Sequence, residues 1–194
     1  MESLAEHVAA FQRDGYRYIP GLFDERRICE VKYYLTMNLD ALLESIRDGT
    51  CEPKVRTGHF PDRFLAREPL AGFWQDNAAT DGLFSLIYPC GYNLSGFAPT
   101  ARFLLPGYLA AQWPPHSDDQ YGPFVGKHFV TLWIPLTPID QQHGGLCIHD
   151  GAQRIRYDMQ PGDALIFRSN VVHETMPNTS ENVRLSLDGR FFAR

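Results

Sequence analysis

Beyond Tyr92 the chain is cut by Pro-Gly, Gly-Gly, Asp-Gly and Pro-Asn pairs into short runs rich in Val, Ile, Leu, Phe and Thr. Short runs of that composition, bounded by turn residues, are strands, and a close succession of them forms a sandwich or barrel. Strands are expected near Thr100 to Leu105, Tyr108 to Trp113, His128 to Leu136, Gly145 to His149, Arg154 to Met159, Ala164 to Phe167, Val172 to Thr175 and Val183 to Phe192.

The first half has a helical period instead. Leu4, Val8 and Phe11 share one face behind Ser3, a capping residue with Glu6 three positions on, and Gly15 stops the run. His7 falls on the face expected to be solvated. Tyr16 to Ile19 alternates like a short strand, and Asp24 reads as the N-cap of a longer helix to about Arg47, with Ile28, Val31, Leu35, Leu39 and Leu42 as its buried stripe. From Asp48 to Arg67 periodicity fails, and Lys54, Arg56, Arg63 and Arg67 mark either a lid that meets an anionic substrate or a solvated charged loop. A helix from about Thr80 to Tyr88 follows. The expected architecture is mainly β, a jelly roll buttressed by N-terminal helices, in one domain over 1–194. Residues 1–95 would be mostly helical support and loop, and 96–194 the jelly-roll core.

Composition narrows the class. The 194 residues fall within the roughly 100 to 200 expected of one domain. A net charge of −5, from 18 basic and 23 acidic residues, argues against nucleic acid, whose phosphates need clustered cations, and favours a small-molecule substrate. No apolar run approaches the roughly 18 residues that would span a membrane. The N-terminus has no basic start or long apolar block, so a cytoplasmic location is expected. Cys29, Cys51, Cys90 and Cys147 are scattered and read as free thiols.

The chemistry concentrates in Gln112-Trp113-Pro-Pro-His116-Ser-Asp118-Asp-Gln120. In an extended segment side chains at i and i+2 share a face, so His116 and Asp118 can grip one metal ion while Ser117 faces away. Asp119, at i+3, would point off that face. A distant second histidine would complete a 2-His-1-carboxylate facial triad, the ligand set of an iron(II) site with open positions, and His173 is the candidate. Arg184 opens the last strand with Ser186 on the same face. An arginine pointing into a barrel needs an anion, and a carboxylate bound in bidentate fashion would satisfy it; a structural ion pair is the other reading. Arg102, Tyr108 and Gln112, on the strands leading to the triad, are substrate-contact candidates, whereas His128, His143 and His149 read as turn or surface histidines.

His-x-Asp, a later His, and an Arg-x-Ser beyond it resemble the iron(II)/2-oxoglutarate-dependent dioxygenases, specifically the phytanoyl-CoA dioxygenase-like branch. The opening Phe-Gln-Arg-Asp-Gly-Tyr-Arg-Tyr-Ile-Pro-Gly-Leu-Phe resembles that branch's entry segment, and Leu-Trp-Ile-Pro-Leu-Thr-Pro-Ile-Asp before Gly-Gly-Leu-Cys-Ile-His-Asp-Gly its central hairpin. The resemblance implies a cupin-like double-stranded β-helix with iron(II) on His116, Asp118 and His173, and 2-oxoglutarate held by Arg184. It places Ser186, Thr175, Thr131 and Trp133 along the cosubstrate pocket, though each is also an ordinary strand or core residue. It implies oxidation, by default hydroxylation, of a C–H bond in a metabolite or natural-product intermediate, consuming O2 and releasing succinate and CO2. Where that branch often reads Pro-Gly-Ser-His, this chain has His149-Asp150-Gly151-Ala152-Gln153. The other classes open to the same residues are a cupin-like metal hydrolase or isomerase without cosubstrate, and a catalytically inactive ligand-binding module.

Overall fold

The Ser3 hydroxyl accepts the Glu6 N–H at 3.3 Å while the Glu6 carboxylate accepts the Ser3 N–H at 2.6 Å. This reciprocal cap satisfies donors that the start of helix α1 (Leu4–Asp14) leaves unpaired. Gly15, at φ 84°, ends the helix and lets the chain enter strand β1 (Tyr16–Ile19). His7 lies on the other side of the helix from that expected: it is buried, its Nδ1 accepting from Arg17 Nε at 3.2 Å, because β1 folds back over α1. Helix α2 (Glu25–Arg47) is capped by Asp24 and buries Ile28, Val31, Leu35, Leu39 and Leu42. Each such side chain contributes roughly 1.5–3 kcal/mol on burial.

The computed structural model describes residues 2–75, 77–95 and 99–194, so the expected boundary at residue 96 lies outside the described residues. The 48–67 stretch holds two one-turn helices, α3 (Pro53–Arg56) and α4 (Asp62–Leu65), followed by α5 (Leu70–Gln75) and α6 (Ala78–Ile87). Val55 and Phe60 anchor it in the core, Phe60 meeting Phe103 edge-on at 5.5 Å. Lys54 and Arg63 pair with Asp62 and Glu52, and Arg56 donates to the Gly49 carbonyl.

The remaining strands are β2 (Tyr92–Leu94), β3 (Thr100–Leu104), β4 (Val130–Pro135), β5 (Leu146–Asp150), β6 (Gln153–Arg156), β7 (Ala164–Arg168), β8 (His173–Thr175) and β9 (Arg184–Ala193). They form two antiparallel sheets. The larger runs β1-β7-β4-β9, with β3 and β2 sharing the far edge of β9, and the smaller runs β6-β5-β8. The strand expected over Tyr108 to Trp113 is instead a 3-10 turn, Leu109–Ala111. The Gln112 N–H bonds locally to the Leu109 carbonyl, and Pro114 and Pro115 have no N–H to give a ladder.

Alternation gives the larger sheet two different faces. Ala101, Phe103, Leu132, Ile134, Ile166, Leu185 and Leu187 pack in the core that also holds the helices. Trp133, Leu165 and Phe167 face the other way, toward Ile148 of the smaller sheet. Among the described residues no helix is long and apolar enough to cross a membrane.

Candidate active site

His116 and His173 form an isolated antiparallel bridge, each donating its N–H to the other's carbonyl at 2.9 and 2.8 Å. Directly opposed residues project to the same face, and the two ring centroids are 4.3 Å apart. His116 Nδ1 lies 2.7 Å from the Pro114 carbonyl and His173 Nδ1 lies 3.1 Å from that of Val171. Both rings are thereby assigned a proton on Nδ1, which frees each Nε2 lone pair as a metal donor.

Ser117 is extended, at φ −113° and ψ 146°, and Asp118 opens the 3-10 turn Asp118–Gln120. The buried Asp118 carboxylate accepts the Thr131 hydroxyl at 2.6 Å on Oδ2 and Arg190 Nη2 at 3.3 Å on Oδ1. Ligand atoms of His116, Asp118 and His173 lie within 4.8 Å of one another, so the three can hold one cation. Asp119 instead accepts from the Ser117 hydroxyl.

The electrostatics fit a metal site. Burial drives the His173 imidazole down to about 4, more strongly than the Asp118 charge raises it, so the ring is neutral near pH 7. Burial alone would raise Asp118, but Arg190, His173 and the Thr131 hydroxyl outweigh it and hold the carboxyl below its usual range. A neutral imidazole at His173 and an ionised carboxylate at Asp118 are donors that suit a divalent iron.

The cavity behind the triad lies between the two sheets, and β9 supplies its charged wall. Arg184 is 3% exposed. Its Nη1 donates to the Ser186 hydroxyl, its Nε has no partner, and the Trp133 ring lies 5.8 Å from its guanidinium carbon. Among the described residues no carboxylate pairs with it. Burial lowers Arg184 to about 9, with repulsion from Arg102 added and attraction to Asp188 opposing. A buried guanidinium left so far short of an anion is costly unless a ligand supplies one.

The chain matches no protein-family model. It is 31% identical to the 1-deoxypentalenic acid 11-beta-hydroxylase of Streptomyces exfoliatus and 29% identical to that of Streptomyces arenae, in each case over 40% of this chain and 40% of the relative. The matched region is thus less than half the length of those relatives. The non-heme alpha ketoglutarate dependent epimerase SnoN from nogalamycin biosynthesis superposes with a TM-score of 0.72 at 17% identity, covering 98% of this chain and 82% of that one. The non-heme alpha ketoglutarate dependent carbocyclase SnoK from the same biosynthesis gives 0.69 at 15%, covering 97% and 83%. The chain shares its fold with SnoN and SnoK.

Of the residues singled out in sequence, His116, Asp118, His173, Arg102, Thr131, Trp133, Thr175 and Arg184 all border the cavity, and Ser186 stands behind Arg184. Tyr108 and Gln112 do not border it. The Tyr108 hydroxyl donates to the Arg56 carbonyl on the outside, since the turn at Leu109 replaces the strand that would have aimed both side chains inward. His128 is exposed, His143 pairs with Asp140 and His149 with Glu174.

Asp188 and Arg190 are the charged site residues that sequence reasoning missed, and Trp113, Leu146 and Phe167 border the cavity beside them. Asp188 accepts from Arg102 at 2.8 Å and from Arg190 at 2.9 Å, forming a buried charge chain from Arg102 to Asp118. The same period of two that relates Arg184 to Ser186 continues to Asp188 and Arg190, and it was the available signal.

Proposed function

We propose that the chain is an iron(II)- and 2-oxoglutarate-dependent dioxygenase of the phytanoyl-CoA dioxygenase-like branch, its two sheets forming a double-stranded β-helix within one domain over 1–194. Its substrate would be a small metabolite or natural-product intermediate, with no nucleic-acid or membrane partner, in the cytoplasm. The reading is carried by Arg184, a buried guanidinium that faces the His116, Asp118 and His173 cavity without a carboxylate of its own.

His116, Asp118 and His173 would hold the iron, leaving open positions on its other side. Arg184, steadied by Ser186, would take the distal carboxylate of 2-oxoglutarate, while Trp133 closes the wall beside it. Iron(II) with 2-oxoglutarate and O2 supplies the oxidation of a C–H bond, releasing succinate and CO2. Thr131 and Arg190 fix the Asp118 carboxylate, and the carbonyls of Pro114 and Val171 fix the two rings. Phe167 and Leu146 give the cavity apolar walls that limit water around the reacting centre. Thr175 borders the same space, and Arg102, its Nε held by Asp188, would meet substrate through its other guanidinium N–H groups. Because Asp118 keeps the carboxylate ligand in place, hydroxylation is the default outcome.

The test is anaerobic loading with iron(II) and 2-oxoglutarate, then oxygenation with a metabolite library and mass spectrometry of substrate and succinate. Succinate should form, with one oxygenated product per succinate where a library member fits, and Asp118→Ala should abolish both. A product formed with 2-oxoglutarate unconsumed would instead assign a metal hydrolase or isomerase, and iron binding with no oxygen uptake would assign a binding module.

A further inference from the structure

The smaller sheet has a second face, turned away from the cavity. Leu146, Ile148, His173 and Thr175 alternate inward, so Cys147, His149 and Glu174 alternate outward. Cys147 stands directly opposite Glu174 across the β5–β8 ladder, and His149 is two residues along β5 on the same side. Their ligand atoms lie within 4.8 Å of one another, with His149 Nε2 only 2.8 Å from Glu174 Oε1. Three donors of three kinds, one soft sulfur, one imidazole and one carboxylate, are thus fixed by strand backbone.

We propose that Cys147, His149 and Glu174 form a binding site for a thiolate-seeking divalent ion of the zinc class, separate from the candidate iron site. Thiolate with imidazole selects zinc over harder dications, and three protein ligands leave the fourth tetrahedral position to water or an outside ligand. A cation already sits at this place. Arg154, opposite His149 on β6, donates to Glu174 and reaches Met176 Sδ at 3.4 Å. Its guanidinium thus sits directly on one of the three donors, the Glu174 carboxylate. The Arg154 side chain is 55% exposed on a flexible stem, whereas those of His149 and Glu174 are 24% and 16% exposed. Arg154 can therefore swing into solvent, and a dication entering in its place loses one charge of repulsion. On binding, the Cys147 thiol gives its proton to solvent as the sulfur–metal bond forms.

The probe is cobalt(II) alone, added anaerobically to the metal-free full chain. Cobalt on His116, Asp118 and His173 has no sulfur ligand, and with Cys29, Cys51 and Cys90 replaced by serine Cys147 is the remaining thiol, so a thiolate-to-cobalt charge-transfer band then reports only the second site, whatever the first one does. The band should saturate at no more than two equivalents of added cobalt, vanish on addition of zinc(II), and be absent in Cys147→Ser. Should Cys147→Ser fold poorly, His149→Ala, at a half-buried position, should weaken cobalt binding beyond the roughly 10–100-fold that an outer-shell change costs. Arg154→Ala should tighten it, which a role for the arginine in merely holding Glu174 would not do. No charge-transfer band, a band that survives Cys147→Ser, or an affinity unchanged in both His149→Ala and Arg154→Ala overturns the site.

Discussion

The Thr131 hydroxyl donates to Asp118 Oδ2 at 2.6 Å, from a β4 position whose sheet partner on β9 is Arg190. The register thus delivers both groups that hold the carboxylate to the same spot. Thr131→Val keeps the shape and removes the donor, so iron(II) affinity should fall about 10–100-fold in an anaerobic titration, and Thr131→Ser should restore most of it. Equal affinity in Thr131→Val and the parent chain would show that the hydroxyl does not orient the ligand.

Arg190 is the only cation paired with Asp118 among the described residues, and it also pairs with Asp188. Arg190→Met leaves a buried carboxylate unpaired, which should lower stability by about 3–5 kcal/mol in urea denaturation. Asp188 keeps Arg102, so the loss centres on Asp118. A loss under about 1 kcal/mol, the scale of a surface pair, would contradict this account.

Arg184 behaves oppositely if its anion comes from outside. Arg184→Leu should leave the metal-free protein as stable as the parent or up to about 4 kcal/mol more stable, since an unsatisfied buried charge is removed. The same change should weaken 2-oxoglutarate binding roughly 100-fold, the worth of two charge-assisted hydrogen bonds. Thermal unfolding with and without 2-oxoglutarate reads both effects. Destabilisation of the metal-free protein by several kcal/mol would make Arg184 a structural residue.

His59 carries a pH signature. Burial lowers its imidazole to about 3, aided by repulsion from Arg102 and opposed by attraction to Asp188. Its folded pKa lies below the unfolded value, so its contribution is complete above about 6.5 and is lost as pH falls toward about 3, where the unfolded chain binds the extra proton. Between those limits the parent should lose at most about 1.4 kcal/mol per pH unit more than His59→Gln in denaturant titrations. Parallel pH profiles for the two proteins would remove His59 from the balance.

The sequence showed most clearly what depends on local period. The α2 stripe, the Ser3 and Asp24 caps and most strands follow from spacing alone. Where long-range hydrogen bonding decides, local pattern misleads. Tyr108 to Trp113 has strand composition but closes a local turn, and it meets a strand at its end, where the Trp113 carbonyl accepts from Thr175; Val55 and Phe60 look like loop residues until the core they enter is formed. His7 was misplaced because its partner, Arg17, arrives from the next element. The residues of the triad were legible as types, His116 and Asp118 through their spacing and His173 through its company. Asp188 and Arg190 were not, because a pair of opposite charges on a strand usually signals a solvated face, and only the sheet register shows that this one is enclosed.

The two-bond bridge between His116 and His173 makes the spacing of their imidazoles a property of the main chain. While both amides are engaged, the rings cannot drift apart, and when the ladder opens they separate together with Asp118, which follows His116 in the same segment. Breathing at that bridge therefore switches the donor set on and off as a unit instead of wearing it down ligand by ligand, and slow exchange of those two amide protons should rise and fall with metal occupancy.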